Sequence, residues 1–578
     1  MKLELQKGSR SRILAAIVLI AMAVFVVRLF YLQIIQHSHY VQVANSEQIK
    51  RLTIPAKRGV IYALDGKTPV PLAMNQTIYT VFADPQTVEN DDKIIEVLKR
   101  VAGGNVRPDL KSLLDKVDSR YQILATRITR TQADKIKAEN LAGIGFQEGS
   151  QRVYPEGGLA AQTLGFVDYS GIGRYGVEGA QNDKLTGTDG LLQSVTDIRD
   201  VPLTIGNNNI NRPAINGKNI VLTIDSNVQS YAEQALAAGL KRTGATRGSV
   251  LVMNPQTGQV MAMANLPSYD PATFNTVSDP EVFNNPIVSE PYEPGSVIKT
   301  LTMTAGIEKN AVSPTATYVN TDHIRVEDSV ISNATLGQTG TITFQHALNW
   351  SLNTGFVTVL ERLGDGSHVT RQARDTLYSY FHDKFRLGQL TGIEVSGESP
   401  GIIIPPTDVQ GGAVRYATMA FGQGMNTTMI QVASAFSAIV SGGVYHSPTV
   451  LAGEVKPDGT YVPDKIEDGM QIVSKSAADQ VREMTVKGRS DFFGYTDKQG
   501  YMIGGKTGTS QVPKDGGYSK TESIGSYVGF GGDTTAKYVI MVQVSGKDRA
   551  LQGARDAQPI FTDISNWMID YLKLQPRG

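Results

Sequence analysis

The 578-residue chain contains no cysteine. That absence excludes a disulfide framework, a thiolate nucleophile and any cysteine-based metal site. It is compatible with an oxidising exterior but does not select one. An excess of either charge is absent too: 55 basic side chains offset 55 acidic ones. A nucleic-acid binder working through a broad basic field is therefore not expected. Histidine is scarce, at His37, His39, His323, His346, His368, His382 and His446. None stands in an HExxH or similar metal spacing, and His37-x-His39 reads as an interfacial polar pair beside an apolar segment. No metal and no cofactor are expected. There is no Gly-x-Ser-x-Gly elbow, which leaves an α/β-hydrolase without a motif. Internal repeats and low-complexity tails are missing as well.

Only one long hydrophobic run occurs. It is unbroken from Ile13 to Val27, is interrupted by Arg28, and continues to Ile35. That is long enough for a bilayer core of about 30 Å. Arg28 near its end can snorkel to the headgroups. Lys2, Lys7, Arg10 and Arg12 precede it. By the positive-inside rule the N-terminus is expected in the cytoplasm and the remainder outside. Ala21-Met-Ala23 has the small-x-small pattern of a signal-peptide cleavage site. However, the apolar residues continue past it, so a retained single-pass anchor is the expectation.

Hydrophobic content of 41% and charged content of 19% are those of an ordinary globular protein. The length calls for two or three domains. From His37 to Ile215 the pattern is mixed. Thr77–Ala83 reads as a strand and Asp91–Val101 as an amphipathic helix, with turns at Asp65-Gly66 and Asp189-Gly190. Asn207 to Asn211, then Pro213 and Gly217, read as a linker. Beyond it, Asn219–Ile224 reads as a strand and Asn227–Gly239 as a helix capped by Asp225 or Ser226. Ser249–Met253 and Val260–Ala264 form a hairpin around Asn254-Pro-Gln-Thr-Gly258. Tyr527–Phe530 and Tyr538–Val544 add strands, and a last helix covers Pro559–Leu572. Strands at both ends with helices between them predict an α/β (α+β) layer fold.

Three short motifs follow in order. Ser296-Val-Ile-Lys299 comes directly after Glu293-Pro294-Gly295, a turn suited to a helix start. Three residues apart on a helix, Ser296 and Lys299 share a face. A serine hydroxyl needs a base, and a lysine with its pKa lowered by burial and neighbouring cations can supply one. Ser351-Leu-Asn353 is the second motif, and Lys506-Thr507-Gly508-Thr509 the third. Gly508 permits close approach of a substrate backbone to a strand. Singly, each motif is bland: a helix turn, a capped turn, a basic loop. Gly500 to Thr507 also fits the P-loop pattern, but Gly508, Thr509 and Ser510 are poor helix starters, so the required helix is not expected.

Together the three motifs resemble those of β-lactamases and penicillin-binding proteins. Further residues extend the resemblance to class B, monofunctional penicillin-binding proteins along nearly the whole chain. These are Arg58-Gly-Val-Ile61 with Gly66, Arg152-Val-Tyr-Pro155, Leu164-Gly-Phe-Val167, Gly176-Val-Glu178 and Leu185-Thr-Gly187. Asn254-Pro-x-Thr-Gly258, Pro267-Ser-Tyr-Asp-Pro271, Tyr292-Glu-Pro-Gly-Ser296, Phe421-Gly-Gln-Gly424 and Thr428-x-x-Gln431 continue it. Two positions depart: Ala63 stands where the family usually has Asp, and Gly529-Phe530 runs into Gly531-Gly-Asp533 rather than Pro-Ala.

The resemblance implies a cytoplasmic tail (1–12), an anchor (13–35), an elongated dimerisation or pedestal domain (36–215) and a transpeptidase domain (216–578) with an antiparallel sheet covered by helices. It implies that Ser296 attacks a D-Ala-D-Ala stem peptide, with Lys299 as base. Ser351 would relay protons, Asn353 would bind the substrate amide, and Lys506 would supply positive potential. Thr507 and Thr509 would bind the substrate's terminal carboxylate, with Gly508 beside them letting the substrate backbone approach. The N–H groups of Ser296 and Thr509 would form the oxyanion hole. Implied partners are peptidoglycan stem peptides, β-lactams, the cytoplasmic membrane and a SEDS-family glycan polymerase within a division or elongation complex, with no nucleic acid. Tyr292-Glu-Pro-Gly-Ser296 looks more like the septal type. No glycosyltransferase signature and no C-terminal PASTA modules are expected. Two alternatives stay open: a D,D-carboxypeptidase or β-lactamase-like hydrolase, and a non-catalytic scaffold or β-lactam sensor.

Overall fold

The computed structural model describes residues 9–40, 49–195, 210–514 and 517–577. Contacts divide the chain into two compact units, residues 1–57 with 187–217 and residues 58–186 with 218–578.

In the first unit the apolar run is helical from Ser9 to Phe30, and a single π-helical turn follows at Tyr31–Ile35. The 26-residue stretch Arg10–Ile35 contains an 18-residue window with a mean hydropathy of 2.9. At about 1.5 Å per residue it is long enough and apolar enough to cross a membrane. The Arg28 guanidinium lies 5.6 Å from the Tyr31 ring centroid, at the end of the run where a charge costs least. Arg10 and Arg12 open the helix, whereas Lys2 and Lys7 lie outside the described residues. A small antiparallel sheet joins Ile49–Ile54, Gly190–Val195 and Ile210–Arg212. The expected linker is corrected here. Asn207 to Asn209 lie outside the described residues, but Ile210–Arg212 is a strand. Three residues are too short to show a period of two, and partner hydrogen bonding decides the conformation.

The second unit holds two larger sheets. One has seven strands and runs from Tyr461–Pro463 through Leu451–Val455, Asn219–Asp225, Ile61–Asp65 and Thr68–Ala83 to Gln122–Thr129, with Ile144–Val153 also paired to Thr68–Ala83. Asn219–Asp225 and Ile61–Asp65 are parallel neighbours. Asp65-Gly66 makes the hairpin turn as expected. Beside this sheet the helix Asp91–Ala102 buries Ile94, Val97 and Leu98. Near it, Glu178 is fully buried between two guanidinium groups. Arg58 reaches its Oε2 at 2.5 Å and Arg152 its Oε1 at 2.7 Å. Arg152 also donates to the Gly59 carbonyl and to Asn75 Oδ1, at 2.8 and 3.0 Å.

The other sheet is antiparallel, with five strands in the order Val260–Leu266, Arg247–Met253, Ala536–Ser545, Gly517–Gly532, Met502–Lys514. Three of its strands, Val260–Leu266, Arg247–Met253 and Ala536–Ser545, are rich in Val, Ile, Met and Ala because both faces are covered. Helices Ser226–Thr243 and Gln558–Tyr571 bury one face through Val228, Leu236, Ile560, Phe561 and Ile564. Asp225 caps the first of them, accepting from the N–H groups of Asn227 and Val228. Phe530 and Met541 join the core on the other side, where the helix Met429–Val440 is buried along its entire length. Each such side chain contributes about 1.5–3 kcal/mol. Thr428 and Gln431 form a capping box at that helix's start. The α/β (α+β) expectation holds, with an antiparallel sheet covered by helices.

Candidate active site

Ser296 lies in a 3-10 turn, Gly295–Ile298, and the α-helix proper begins at Lys299. The single continuous helix expected over Ser-x-x-Lys is thus corrected to a turn feeding a helix. Gly295 explains the difference. Its φ is +61°, and a Cβ there would meet Ser510 Oγ at 2.6 Å and the Thr509 carbonyl at 2.8 Å. Only glycine lets the Ser296 turn come this close to the strand Met502–Lys514.

Lys299 is fully buried. Its Nζ donates to the Ser351 carbonyl (2.6 Å), Ser351 Oγ (3.1 Å) and Asn353 Oδ1 (2.8 Å). The rings of Phe356 and Phe421 flank it at 5.5 and 5.8 Å. Burial holds this amine far below the usual lysine range, and the Lys506 cation lowers it further. Ser351 stands between the helices Phe344–Asn349 and Asn353–Arg362 with φ +57°, a left-handed conformation costly for a serine. The kink turns its hydroxyl between two lysines, because Lys506 Nζ also donates to Ser351 Oγ, at 3.0 Å. Lys506 is buried on the strand Met502–Lys514, and burial lowers its pKa to about 7. Asn353 Nδ2 donates to the Ser332 carbonyl at 2.9 Å.

That strand pairs with Gly517–Gly532 and sets Lys506, Gly508 and Thr509 opposite Val528, Ser526 and Gly525. Thr507 is half-buried and bonds Lys506 Nζ through its carbonyl and its hydroxyl, both at 3.1 Å. Gly508 is buried, and a Cβ there would sit 2.3 Å from Ser526 Oγ. Thr509 is exposed beside the Ser296 turn, and its Oγ1 accepts from the Gly553 N–H at 3.2 Å. Gly500 to Thr507 leads into this strand, so the P-loop helix is not formed. The Gly531-Gly532 departure merely extends the neighbouring strand.

The three motifs therefore meet in one site, with a half-buried serine, two buried lysines of lowered pKa and a bridging hydroxyl. Such a set can activate a serine for acyl transfer and pass protons. Sequence reading missed several supports. Arg489 is fully buried and donates to Asp497 and to Tyr527 OH (2.7 Å), the residue opposite Thr507. Glu293 and Tyr518 carry no local sequence signal of the hydrogen bond between them. Among the described residues no cluster of His, Asp or Glu could hold a metal ion.

Residues 248–566 match the penicillin binding protein transpeptidase domain and residues 53–222 the penicillin-binding protein dimerisation domain. The chain is 31% identical to stage V sporulation protein D of Bacillus subtilis, over 95% of this chain and 84% of that protein. It is 25% identical to the peptidoglycan D,D-transpeptidase FtsI of Buchnera aphidicola, over 97% and 95% of the two chains. Penicillin binding protein 2X of Streptococcus thermophilus shares the fold with a TM-score of 0.73 at 24% identity, over 91% of this chain and 80% of that one. The chain belongs to the class B penicillin-binding proteins.

Proposed function

We propose that this protein cross-links peptidoglycan stem peptides through an acyl-enzyme on Ser296. The observation that carries the reading is the meeting of Lys299 and Lys506 on the Ser351 hydroxyl, with Ser296 in the turn that leads into Lys299. Neutral Lys299 removes the Ser296 proton as Oγ bonds to the carbonyl carbon of the penultimate D-Ala. The N–H groups of Ser296 and Thr509 stabilise the oxyanion, each such donor supplying about 2.7–4 kcal/mol. As the C–N bond breaks, the proton passes through Ser351 to the departing D-Ala amine. Lys506, titrating near 7, keeps positive potential at the relay. Thr507, Gly508 and Thr509 hold the substrate's terminal segment, and Asn353 its amide. An amine from a second stem peptide then attacks the ester and releases Ser296 Oγ.

Residues 1–12 lie in the cytoplasm, 13–35 in the membrane, and a pedestal (36–215) and transpeptidase domain (216–578) outside. The enzyme works in the septal machinery rather than in elongation, beside a SEDS-family polymerase. The name of the FtsI relative and the Tyr292-Glu-Pro-Gly-Ser296 segment support that assignment. Fluorescent penicillin is the first test. A stable label on wild type and none on Ser296→Ala is expected, and no label on folded wild type contradicts the reading. A label that forms and is lost quickly indicates a hydrolase. Depletion in cells should give filaments, and rounded cells would indicate elongation.

A further inference from the structure

Glu293 lies three residues before the nucleophile and is buried. Its Oε1 accepts two hydrogen bonds, from the Gly424 N–H at 2.8 Å and from the Tyr518 hydroxyl at 3.1 Å. Its Oε2 is buried with no hydrogen-bond partner among the described residues. The two donors come from different places. Gly424 belongs to the Phe421–Gly424 loop, which main-chain bonds already fix to the nucleophile turn. The Gly295 N–H reaches the Gly422 carbonyl at 2.9 Å, and Tyr292 and Thr427 exchange bonds at 3.0 Å. Arg415 secures the same loop through the Gly424 carbonyl at 2.8 Å. Tyr518, by contrast, is 43% exposed and sits on the outer part of the strand Gly517–Gly532. That strand carries Gly525 and Ser526, the register partners of Thr509 and Gly508. Glu293 thus clamps the outer end of a two-stranded ribbon to the turn that carries Ser296. The ribbon meets the Ser296 turn at Thr509, the threonine assigned to the oxyanion hole, and the clamp lies further out along the same ribbon.

We propose that Glu293 is a positioning residue for acyl transfer, which through Tyr518 holds the ribbon, and with it the Thr509 N–H, at the distance from Ser296 that the oxyanion requires. A free ribbon end in water exchanges one hydrogen bond to a carboxylate for hydration, so the clamp is reversible and its loss leaves the fold intact. Its acceptor function needs an oxygen and not a charge. The proposal rests on the acyl-enzyme reading above, and its test separates the two.

The full-length protein in detergent is compared as wild type, Tyr518→Phe, Glu293→Ala and Glu293→Gln. Hydrogen exchange of the amides of 517–524 is followed without ligand, and acylation by fluorescent penicillin is timed alongside. Tyr518→Phe and Glu293→Ala are expected to exchange faster across 517–524 and to acylate about two- to tenfold more slowly, the equivalent of one lost hydrogen bond. Glu293→Gln, which keeps the acceptor oxygen, should restore most of both. If the wild type acylates and Tyr518→Phe matches it in exchange and rate, the clamp is overturned. Faster exchange with an unchanged acylation rate overturns the positioning role. A wild type that takes no label at all, with exchange still raised in Tyr518→Phe, sinks the acyl-enzyme reading and the positioning role with it.

Discussion

At the residue scale, two amines share one hydroxyl. Lys299 and Lys506 both donate to Ser351 Oγ, and both are buried. Desolvation alone pushes each towards neutrality, and a proton on one discourages a proton on the other. The base form of Lys299 exists above its lowered pKa and is lost as pH falls through it. Replacing Lys506 by Gln removes the neighbouring cation, so the Lys299 pKa rises. The low-pH limb of the acylation rate is then expected to move to higher pH in Lys506→Gln, measured as rate against pH. A limb that stays put or moves lower contradicts the coupling. Gly295 permits a second residue-scale prediction. Ala at its φ of +61° costs about 1–2 kcal/mol and presses on Ser510 and Thr509. Gly295→Ala should acylate far more slowly than wild type while remaining folded by circular dichroism.

At the scale of elements, the strand Met502–Lys514 is held in place by other pieces. Arg489 and Tyr527 brace it from behind, and the Ser296 turn meets it through Gly295. Elsewhere in the same unit, Glu178 gathers Arg58 and Arg152 from separate segments. Removing the shared carboxylate strands two buried cations, so Glu178→Ala should cost about 3–5 kcal/mol in denaturant unfolding. A loss within experimental error would show that water rescues the arginines. These braces mark where sequence reading stops. Ser296-x-x-Lys299 and Lys506-Thr-Gly508 are contiguous, so their chemistry is written in adjacent letters. The Glu293–Tyr518 bond spans 225 positions and the Arg58–Glu178 pair 120, and no local pattern announces either. The segment Ile210–Arg212 reads as linker for a related reason, since only its partner Gly190–Val195 makes it a strand. Long amphipathic segments such as Asp91–Ala102 were legible because they carry enough turns to show a period.

At the scale of the whole molecule, the absence of cysteine is an experimental asset. A single cysteine introduced at Lys2 or at Gln575 reports its side of the membrane through an impermeant maleimide. In intact spheroplasts the Gln575→Cys protein should react at once and the Lys2→Cys protein only after lysis. The reverse pattern would overturn the proposed orientation of the anchor.

The central claim is that Ser296 forms an ester that an amine, and not water, resolves. The most direct measurement supplies a stem pentapeptide donor and a stem-peptide amine acceptor, and quantifies released D-Ala together with cross-linked product by mass spectrometry. Wild type is predicted to release D-Ala in step with cross-link formation, and Ser296→Ala to do neither. D-Ala released without cross-links, or cross-links surviving in Ser296→Ala, would contradict it.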